Sequence, residues 1–290
     1  MISWHQNLSY ATAIRQEEVI NLDPDAPTLD QLSDLNFKVV ADDLIPAHIA
    51  QMLDGSPYAV VSGTYTDQSG LLGKGFYSET YAIMHKPSRT IHVAKSLHGH
   101  NLEDPSLTQA TKVIASDGKE YTLPAILASD LDIANIINKF SPSSGSMYVK
   151  LEKGYLVKNL ILGSTLLKLI GEEGFFESKM AKRLGDFVKD KAYRTVILDD
   201  LNPGNLVYNE EKGWVIVDAH DTFYLASSPQ ETLNLYKESA RTGNDRICEF
   251  FWGSENTIEK LTPVYGEIEA KELQKKLVSL VLELSLENNS

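Results

Sequence analysis

Three side chains with oxygen donors lie close together in the second half of the chain. Asp200 and Asn205 flank a turn that contains Pro203 and Gly204, and Asp218 follows a short β-like run. Carboxylate and amide oxygens are the hard ligands that Mg²⁺ or Mn²⁺ takes when it is also bound through substrate phosphates. A carboxylate on such a loop also suits the orientation of an attacking hydroxyl group. The pattern predicts a divalent metal ion and phosphoryl transfer.

A second set of residues, upstream, has the types that hold phosphates. Gly73 and Gly75 lie between two β-like runs, where a missing Cβ lets backbone N–H groups approach phosphate oxygens. Lys95 ends the run Val93-Ala94-Lys95, and its ammonium is a point charge suited to phosphate. Taken alone, Gly73 and Gly75 indicate only a turn, and Lys95 a solvated surface lysine. Together with the downstream oxygens they predict a triphosphate site.

Composition and charge limit the class of protein. The 290 residues are 42% hydrophobic, which is enough for a sizeable core. No long apolar stretch and no basic, apolar N-terminus is present, so we expect neither a membrane span nor a cleaved signal peptide. The single cysteine, Cys248, excludes an intramolecular disulfide and fits a cytosolic environment. A net charge of -13 argues against nucleic-acid and anionic-membrane partners.

The elements that must position these residues predict an α+β fold. Residues 1–57 carry no motif that we can assign, and we set them apart as an N-terminal extension. Short β-like runs from residue 58 onward predict an antiparallel sheet, followed by a helix over 129–140 with Ser129 as its N-cap. Two more strands, at 147–151 and 155–162, follow that helix. The division is then 58–159 for a first lobe and 160–290 for a mainly helical second lobe.

Two further segments surround candidate site residues. A hairpin centred on residues 209–213 is predicted to present Asp218 at the end of its second strand. The segment 98–120 is polar and predicts irregular structure. His98 and His100 within it suggest a metal site, but no cysteine or third ligand lies nearby in the sequence. We expect a solvated loop there.

The order of these motifs resembles the protein-kinase-like superfamily: G-x-G, A/V-x-K, D-L-N-P-G-N and D-x-x. The resemblance covers the chain from about residue 58 to the end. Within the superfamily, the stretches 160–166 and 200–208 are similar to compact bacterial effector kinases of the NleH and OspG kind. The resemblance implies a two-lobed fold with a small antiparallel β N-lobe and a mainly helical, reduced C-lobe.

The resemblance also implies roles for the residues that bind nucleotide, with ATP and Mg²⁺ (or Mn²⁺) as cofactors. Lys95 would bind the α and β phosphates. Its acidic partner would come from the helix over 129–140, and we predict Asp132 rather than Asp130. Gly73, Gly75 and Ser78, which takes the place of a third glycine, would lie against the phosphates. Residues 158–162 would form the hinge that contacts adenine.

The remaining roles concern the transfer itself, and here the chain also departs from the family pattern. By position, Asp200 would orient the acceptor hydroxyl, while Asn205 and Asp218 would hold the metal. Leu198-Asp199-Asp200 stands where H-R-D is usual, and Asp218-Ala219-His220 where D-F-G is usual. Asn202 replaces a lysine, and no A-P-E sequence follows. We therefore expect a reduced kinase that is not controlled by phosphorylation of an activation loop.

The implied function is that of a serine/threonine-protein kinase of the bacterial effector and virulence type. It would transfer the γ-phosphate of ATP to a hydroxyl of an unidentified protein, in the cytoplasm or after secretion into a host cell without a cleavable signal. Two alternatives remain open. One is a small-molecule kinase of the aminoglycoside or choline type, and the other is a pseudokinase that acts as a protein-binding module.

Overall fold

The computed structural model describes residues 26–75, 77–114, 120–140, 149–152, 154–193, 196–198, 202–218, 223–225, 228–242 and 254–286. These residues form an α+β structure with an antiparallel sheet and several helices, as predicted. The chain divides into two compact units. The first comprises the described parts of 1–135 and 148–160, and the second those of 136–147 and 161–290. None of the described helices is long and apolar enough to span a membrane.

The first unit is built on a seven-stranded sheet. Its strands are β1 (Lys38–Val39), β2 (Tyr58–Ser62), β3 (Leu71–Lys74), β4 (Ser78–His85), β5 (Thr90–Leu97), β8 (Val149–Glu152) and β9 (Tyr155–Asn159). They pair antiparallel in the order β1-β2-β4-β5-β9-β8, and β3 pairs with β4. In the register of β4 and β5, Thr80 lies opposite Lys95 and Tyr81 opposite Ala94. Because side chains alternate along a strand, Lys95 and Ala94 face opposite sides of the sheet.

The segment 26–57 packs against this sheet and belongs to the first unit, although the sequence had set residues 1–57 apart as an extension. Its helix α1 (Ala47–Leu53) places Ile49 and Leu53 in a core that covers the sheet face of Ala94. The other members of that core include Val40, Tyr58, Val60, Tyr81, Ile83, Tyr155 and Val157. At seven residues, α1 is too short for its apolar positions to show a clear helical period, so the local pattern alone does not indicate their burial.

The segment predicted to be irregular is more ordered than expected. It contains helix α2 (Pro105–Thr108) and a hairpin of β6 (Ala110–Ile114) with β7 (Glu120–Pro124). Helix α3 then runs over Ala125–Phe140, four residues longer at its start than the prediction. The prediction of irregular structure was wrong because the hairpin carries polar residues such as Lys112 and Glu120, which pair across it at 2.9 Å, in place of an apolar alternation.

The second unit combines helices with short antiparallel pairs. Strands β10 (Ser164–Thr165), β12 (Leu206–Asn209) and β13 (Gly213–Ile216) form one sheet, and β11 (Val196–Leu198) pairs with β14 (Phe223–Leu225). The helices are α4 (Leu166–Leu169), α5 (Lys179–Tyr193), α6 (Pro229–Thr242), α7 (Ser254–Tyr265) and α8 (Glu267–Leu286). Helix α5 packs against α8 and β13. The indole N–H of Trp214 donates to the Met180 carbonyl at 2.9 Å and ties the hairpin to α5.

Candidate functional site

The glycine turn connects β3 to β4 and comprises residues 73–78. It is closed by a hydrogen bond from the Gly75 N–H to the Ser78 carbonyl at 2.8 Å, and the Thr80 hydroxyl donates to the Gly73 carbonyl at 3.2 Å. Ser78 is buried, with 3% of its surface exposed. The predicted phosphate residues Gly73, Gly75 and Ser78 therefore lie on one short turn, as the spacing requires.

Neither glycine of this turn is demanded by the fold of the protein itself. Among the described glycines, those in the left-handed region do not include Gly73 or Gly75. A Cβ added to Gly73 would meet only the Thr80 hydroxyl at 3.8 Å, and one added to Gly75 only Ser78, at 3.5 Å or more. These are ordinary van der Waals distances. The turn therefore keeps a bare backbone at two places where a side chain would fit.

Lys95 is a charged residue in the interior of the first unit. Its side chain is 0% exposed, and its Nζ lies 2.7 Å from Oδ2 of Asp130, whose side chain is 1% exposed. Lys95 reaches this position from β5, and Asp130 from the second turn of α3. The strand therefore places its lysine against a helix carboxylate, rather than in solvent.

The acidic partner of Lys95 is Asp130, whereas the sequence analysis chose Asp132. Asp132 lies two residues further along α3, and its side chain falls outside the described residues. Leu127, Leu131 and Ala134 are all buried, and Asp130 shares their stripe at i+3 from Leu127 and i−4 from Ala134. This spacing indicates that Asp130 faces the interior.

His98 is buried, whereas the sequence predicted a solvated loop at this position. It is 7% exposed and lies at the end of β5. Its Nδ1 is 3.4 Å from Oε2 of Glu79, and its Nε2 is 2.8 Å from the Gly75 carbonyl oxygen. Period-two alternation from Ala94 through Ser96 already places His98 on the covered face of the sheet. His100, by contrast, is exposed and stacks on the His98 ring.

Glu79 is the centre of this buried polar cluster. It is 3% exposed, and its Oε1 contacts Nε2 of His48, which comes from α1. Lys74 Nζ lies 4.0 Å from its Oε2. Burial, followed by the charge of Glu79 and a hydrogen bond to it, raises the pKa of Tyr81 well above its usual range. The carboxylate of Glu79 thus contacts side chains from α1, β4, the glycine turn and the end of β5.

The second unit places Asn205 and Asp218 at the same end of the β12–β13 hairpin. Leu206 lies opposite Ile216, and the Val217 N–H donates to the Asn205 carbonyl at 2.9 Å, which extends the ladder by one step. Asp218 follows directly. Asn202 caps the preceding 3-10 turn (Pro203–Asn205), because its Oδ1 accepts the Gly204 N–H at 2.9 Å.

Asp200, the predicted catalytic carboxylate, lies outside the described residues, as do Ala219 and His220. Within the described ranges no group of three or more His, Cys, Asp or Glu side chains is arranged to hold a metal ion. Asn205 and Asp218 are both half-buried at the hairpin end. The structure therefore brings two of the three predicted oxygen ligands to one place.

The predicted hinge, residues 158–162, continues from β9. Lys158 is 5% exposed, and its strand neighbours are Val93 and Val149. The Leu162 carbonyl accepts a hydrogen bond from the Asn209 side chain at 2.9 Å. This carbonyl is therefore already engaged by the hairpin of the second unit.

A surface cavity of about 340 Å³ lies elsewhere on the second unit, and none of the predicted site residues lines it. Its walls come from α5 and from the β12–β13 hairpin. The lining residues are Arg183, Asp186, Phe187, Asp190, Glu211, Lys212, Gly213 and Trp214. Charges of both signs share this wall, so it has no clear preference for an anionic or a cationic ligand.

Comparison with known proteins adds no relative. No protein-family model matches the chain, and a search of curated proteins finds no match either. The support for any function therefore comes from the residues and contacts described above.

Proposed function

We propose that the chain is an ATP-dependent phosphotransferase with a two-lobed, protein-kinase-like fold. It transfers the γ-phosphate to a hydroxyl of a protein, with Mg²⁺ bound between nucleotide and enzyme. The observation that carries this proposal is the buried pair of Lys95, on the strand that pairs with β4, and Asp130, on α3, whose Nζ and Oδ2 atoms are 2.7 Å apart.

A buried ion pair of this kind is not what stability alone favours. Removing two charges from water costs several kcal/mol per ion, and well-packed apolar residues of similar size often replace such a pair without loss. Lys95 is nevertheless 0% exposed in a sheet whose other face is an apolar core. The presence of a lysine at this buried position is explained if Asp130 aligns its ammonium and the ammonium binds phosphate oxygens.

The glycine turn supports the same function independently. Gly73 and Gly75 have room for a side chain and no left-handed backbone, so the fold does not account for them. A ligand that approaches the backbone closely does account for them, because a Cβ would block that approach. Asn205 and Asp218, at one hairpin end, supply oxygen ligands of the type that Mg²⁺ takes together with phosphates.

The second candidate function is a pseudokinase that keeps the fold and acts by binding a partner. The observation that favours it is again Lys95, whose side chain has no exposed surface. A phosphate oxygen reaches this ammonium only if its surroundings open. Phosphate transfer measured together with nucleotide binding therefore distinguishes the two candidates. Binding can be followed as a thermal shift, because a ligand that binds only the native state raises the apparent stability.

The deciding experiment compares wild-type protein with Asp200→Ala, and uses the neighbouring carboxylate variant Asp199→Ala as its matched control. The measurements are γ-phosphate transfer from labelled ATP with Mg²⁺ in a cell lysate, and the thermal shift caused by ATP. We expect Asp200→Ala to lose transfer by on the order of a thousandfold or more and to keep the shift. Asp199→Ala should retain most of the transfer.

Other results have distinct meanings. Equal transfer by the wild type and Asp200→Ala contradicts the proposed mechanism. An ATP shift without transfer favours the pseudokinase, and the absence of any shift contradicts nucleotide binding altogether. Label found only in small molecules, and not in protein bands, places the acceptor among metabolites.

A further inference from the structure

His98 connects the glycine turn to the strand that follows it. Its Nε2 lies 2.8 Å from the Gly75 carbonyl oxygen, and its Nδ1 lies 3.4 Å from Oε2 of Glu79. The imidazole is nine-tenths buried, with 9% of the side chain exposed. One ring therefore spans from the middle of the turn to the second residue of β4.

The partners of His98 determine how it must be protonated to bind both. A carbonyl oxygen and an ionised carboxylate only accept hydrogen bonds. A neutral imidazole has a single N–H, so it donates to one of the two partners and not to the other. His98 makes both hydrogen bonds only as an imidazolium, with Glu79 as the adjacent negative charge.

The backbone of His98 and the side chain of Asn101 hold a second point of the turn. The Tyr77 carbonyl accepts from the His98 N–H at 3.1 Å and from the Asn101 side chain at 3.0 Å. In a planar trans peptide the N–H of the next residue points away from that carbonyl. The carbonyls of Gly75 and Tyr77 thus point towards the 98–101 segment, and the Ser78 N–H points away from it.

Glu79 anchors His98 to the layer that covers the sheet. The groups that face its carboxylate are His48 from α1, Lys74 from β3, the Tyr81 hydroxyl and His98 itself. Glu79 and His98 lie on the sheet face opposite Lys95, because Glu79 alternates with Thr80, which pairs with Lys95. The turn is thus held from the face that Lys95 does not occupy.

We propose that His98 is a positioning residue: as an imidazolium held by Glu79, it fixes the Gly75 carbonyl and thereby the shape of the glycine turn that binds the nucleotide phosphates. The inference rests on the proposed function, since it concerns the same phosphate site. It adds that α1, through His48 and Glu79, is part of the support of this turn.

Two substitutions of His98 separate its two contacts. In His98→Gln the amide nitrogen takes the place of Nε2, so the bond to the Gly75 carbonyl remains, but without a charge. In His98→Asn the shorter amide takes the place of Nδ1, so contact with Glu79 remains and the Gly75 bond is lost. His100→Gln is the matched control, because His100 stacks on His98 and neither Glu79 nor Gly75 is among its contacts.

The measurement is calorimetric titration of the full chain with ATP, ADP, AMP and adenosine, each with Mg²⁺. We expect His98→Asn to weaken ATP and ADP binding by about tenfold, the equivalent of one hydrogen bond to a charged group, and to leave adenosine binding unchanged. His98→Gln should stay within about threefold of the wild type for all four ligands, given its retained bond. His100→Gln should bind all four as the wild type does.

The pH dependence gives a readout that a purely structural role would not change. An imidazolium that loses a proton keeps one N–H instead of two, whereas the amide of His98→Gln has no such proton to lose. ATP affinity of the wild type relative to His98→Gln should therefore fall when the pH is raised. Taking the ratio of the two affinities removes the effect of the titration of ATP itself. Both proteins keep a donor to the Gly75 carbonyl, so this test does not depend on whether His98→Asn folds.

Four results overturn the inference. His98→Asn that binds ATP as tightly as the wild type shows that the Gly75 bond does not position the turn. Equal loss of ATP and adenosine shows a general defect and not one of the phosphate turn. A wild-type to His98→Gln ratio that is constant with pH shows that the second N–H of His98 does not act on the turn. If the wild type binds none of the four ligands, the proposed function and this inference are both overturned. If only the inference fails, the wild type still binds ATP and the failure appears in the variants.

Discussion

The two units hold their candidate residues by different kinds of contact. In the first unit, Lys95 and Asp130 are buried side chains that meet from a strand and a helix, and Glu79 joins residues from four elements. In the second unit, Asn205 and Asp218 stand at the end of a single hairpin, placed by its backbone ladder. Charge pairs between distant segments thus fix the candidate residues of the first unit, and short-range backbone geometry fixes those of the second.

This difference has a consequence for substitutions. Removal of one side chain from a buried charge cluster leaves its partner desolvated and unpaired, which is strongly destabilising. A hairpin end depends instead on close approach of the backbone, so the sensitive positions there are glycines. Side-chain charge should therefore dominate stability in the first unit, and backbone sterics in the second.

The largest expected effect is that of Lys95→Met in the first unit. The substitution leaves Asp130 as a buried carboxylate without its cation, and we expect the free energy of unfolding to fall by about 3–5 kcal/mol. Urea denaturation followed by circular dichroism measures it. The matched control is Lys95→Met combined with Asp130→Leu, which should recover most of the loss. A loss below about 1 kcal/mol for the single variant would contradict the role of charge in this unit.

The next effect concerns Gly163 in the second unit. A Cβ at this position would collide with the Tyr208 carbonyl oxygen, and the φ of Gly163 is +152°. We expect Gly163→Ala to lower the free energy of unfolding by roughly 1–3 kcal/mol, because backbone must move to relieve the contact. Gly213→Ala is the control, since it has a φ of +78° and open space around it. Equal losses in the two variants would show that close approach is not what matters here.

A smaller, pH-dependent effect is expected at Asp67, in the turn before β3. Burial raises the pKa of Asp67. Hydrogen bonds from Ser69 and Leu71 and the charge of Lys74 together lower this pKa by more, so the net shift is downward. A carboxylate whose folded pKa is below its unfolded value of about 3.9 stabilises the protein above that pH. This contribution disappears as the pH falls through the folded pKa.

Asp67→Asn keeps an oxygen acceptor and removes only the charge. We expect a loss of less than about 1 kcal/mol at pH 7, because the carboxylate is largely exposed and screened by solvent. The gap between variant and wild type should close on acidification, measured by urea denaturation at about pH 7, 4 and 3. A gap that widens towards low pH would mean that the carboxylate is not stabilised in the fold.

The smallest expected effect on stability is that of Gly75→Ala. Its added Cβ would meet only Ser78 at 3.5 Å or more, so we expect a change within about 0.5 kcal/mol, or slight stabilisation from the reduced freedom of the unfolded chain. The affinity for ATP should nevertheless fall, because the Cβ would lie where phosphate oxygens approach. Calorimetric titration measures this affinity. Unchanged ATP binding would mean that the bare backbone at Gly75 serves no ligand.

Local patterns in the sequence predicted the features that depend on neighbours along the chain. The α+β class, the antiparallel strands from Tyr58 onward and the hairpin around residues 209–213 follow from alternation and turn residues, whereas strand β1 of the same sheet was not predicted. The turn sequence around Asn202 and Gly204 likewise placed Asn205 near Asp218, because the ladder of a short hairpin leaves little choice of register. The catalytic assignment of Asp200 stays a prediction.

Only the tertiary structure decided which distant side chains meet. Asp130 pairs with Lys95, because the rotation of α3 against the sheet brings the buried stripe of the helix to the strand. His98 is buried on Glu79 and not solvated, because α1 covers that face of the sheet and brings His48 to the same carboxylate. The sequence alone determined which chemical groups are present and how they are spaced along each element. Their partners depend on how elements pack, and packing joins residues whose separation along the chain carries no signal of contact.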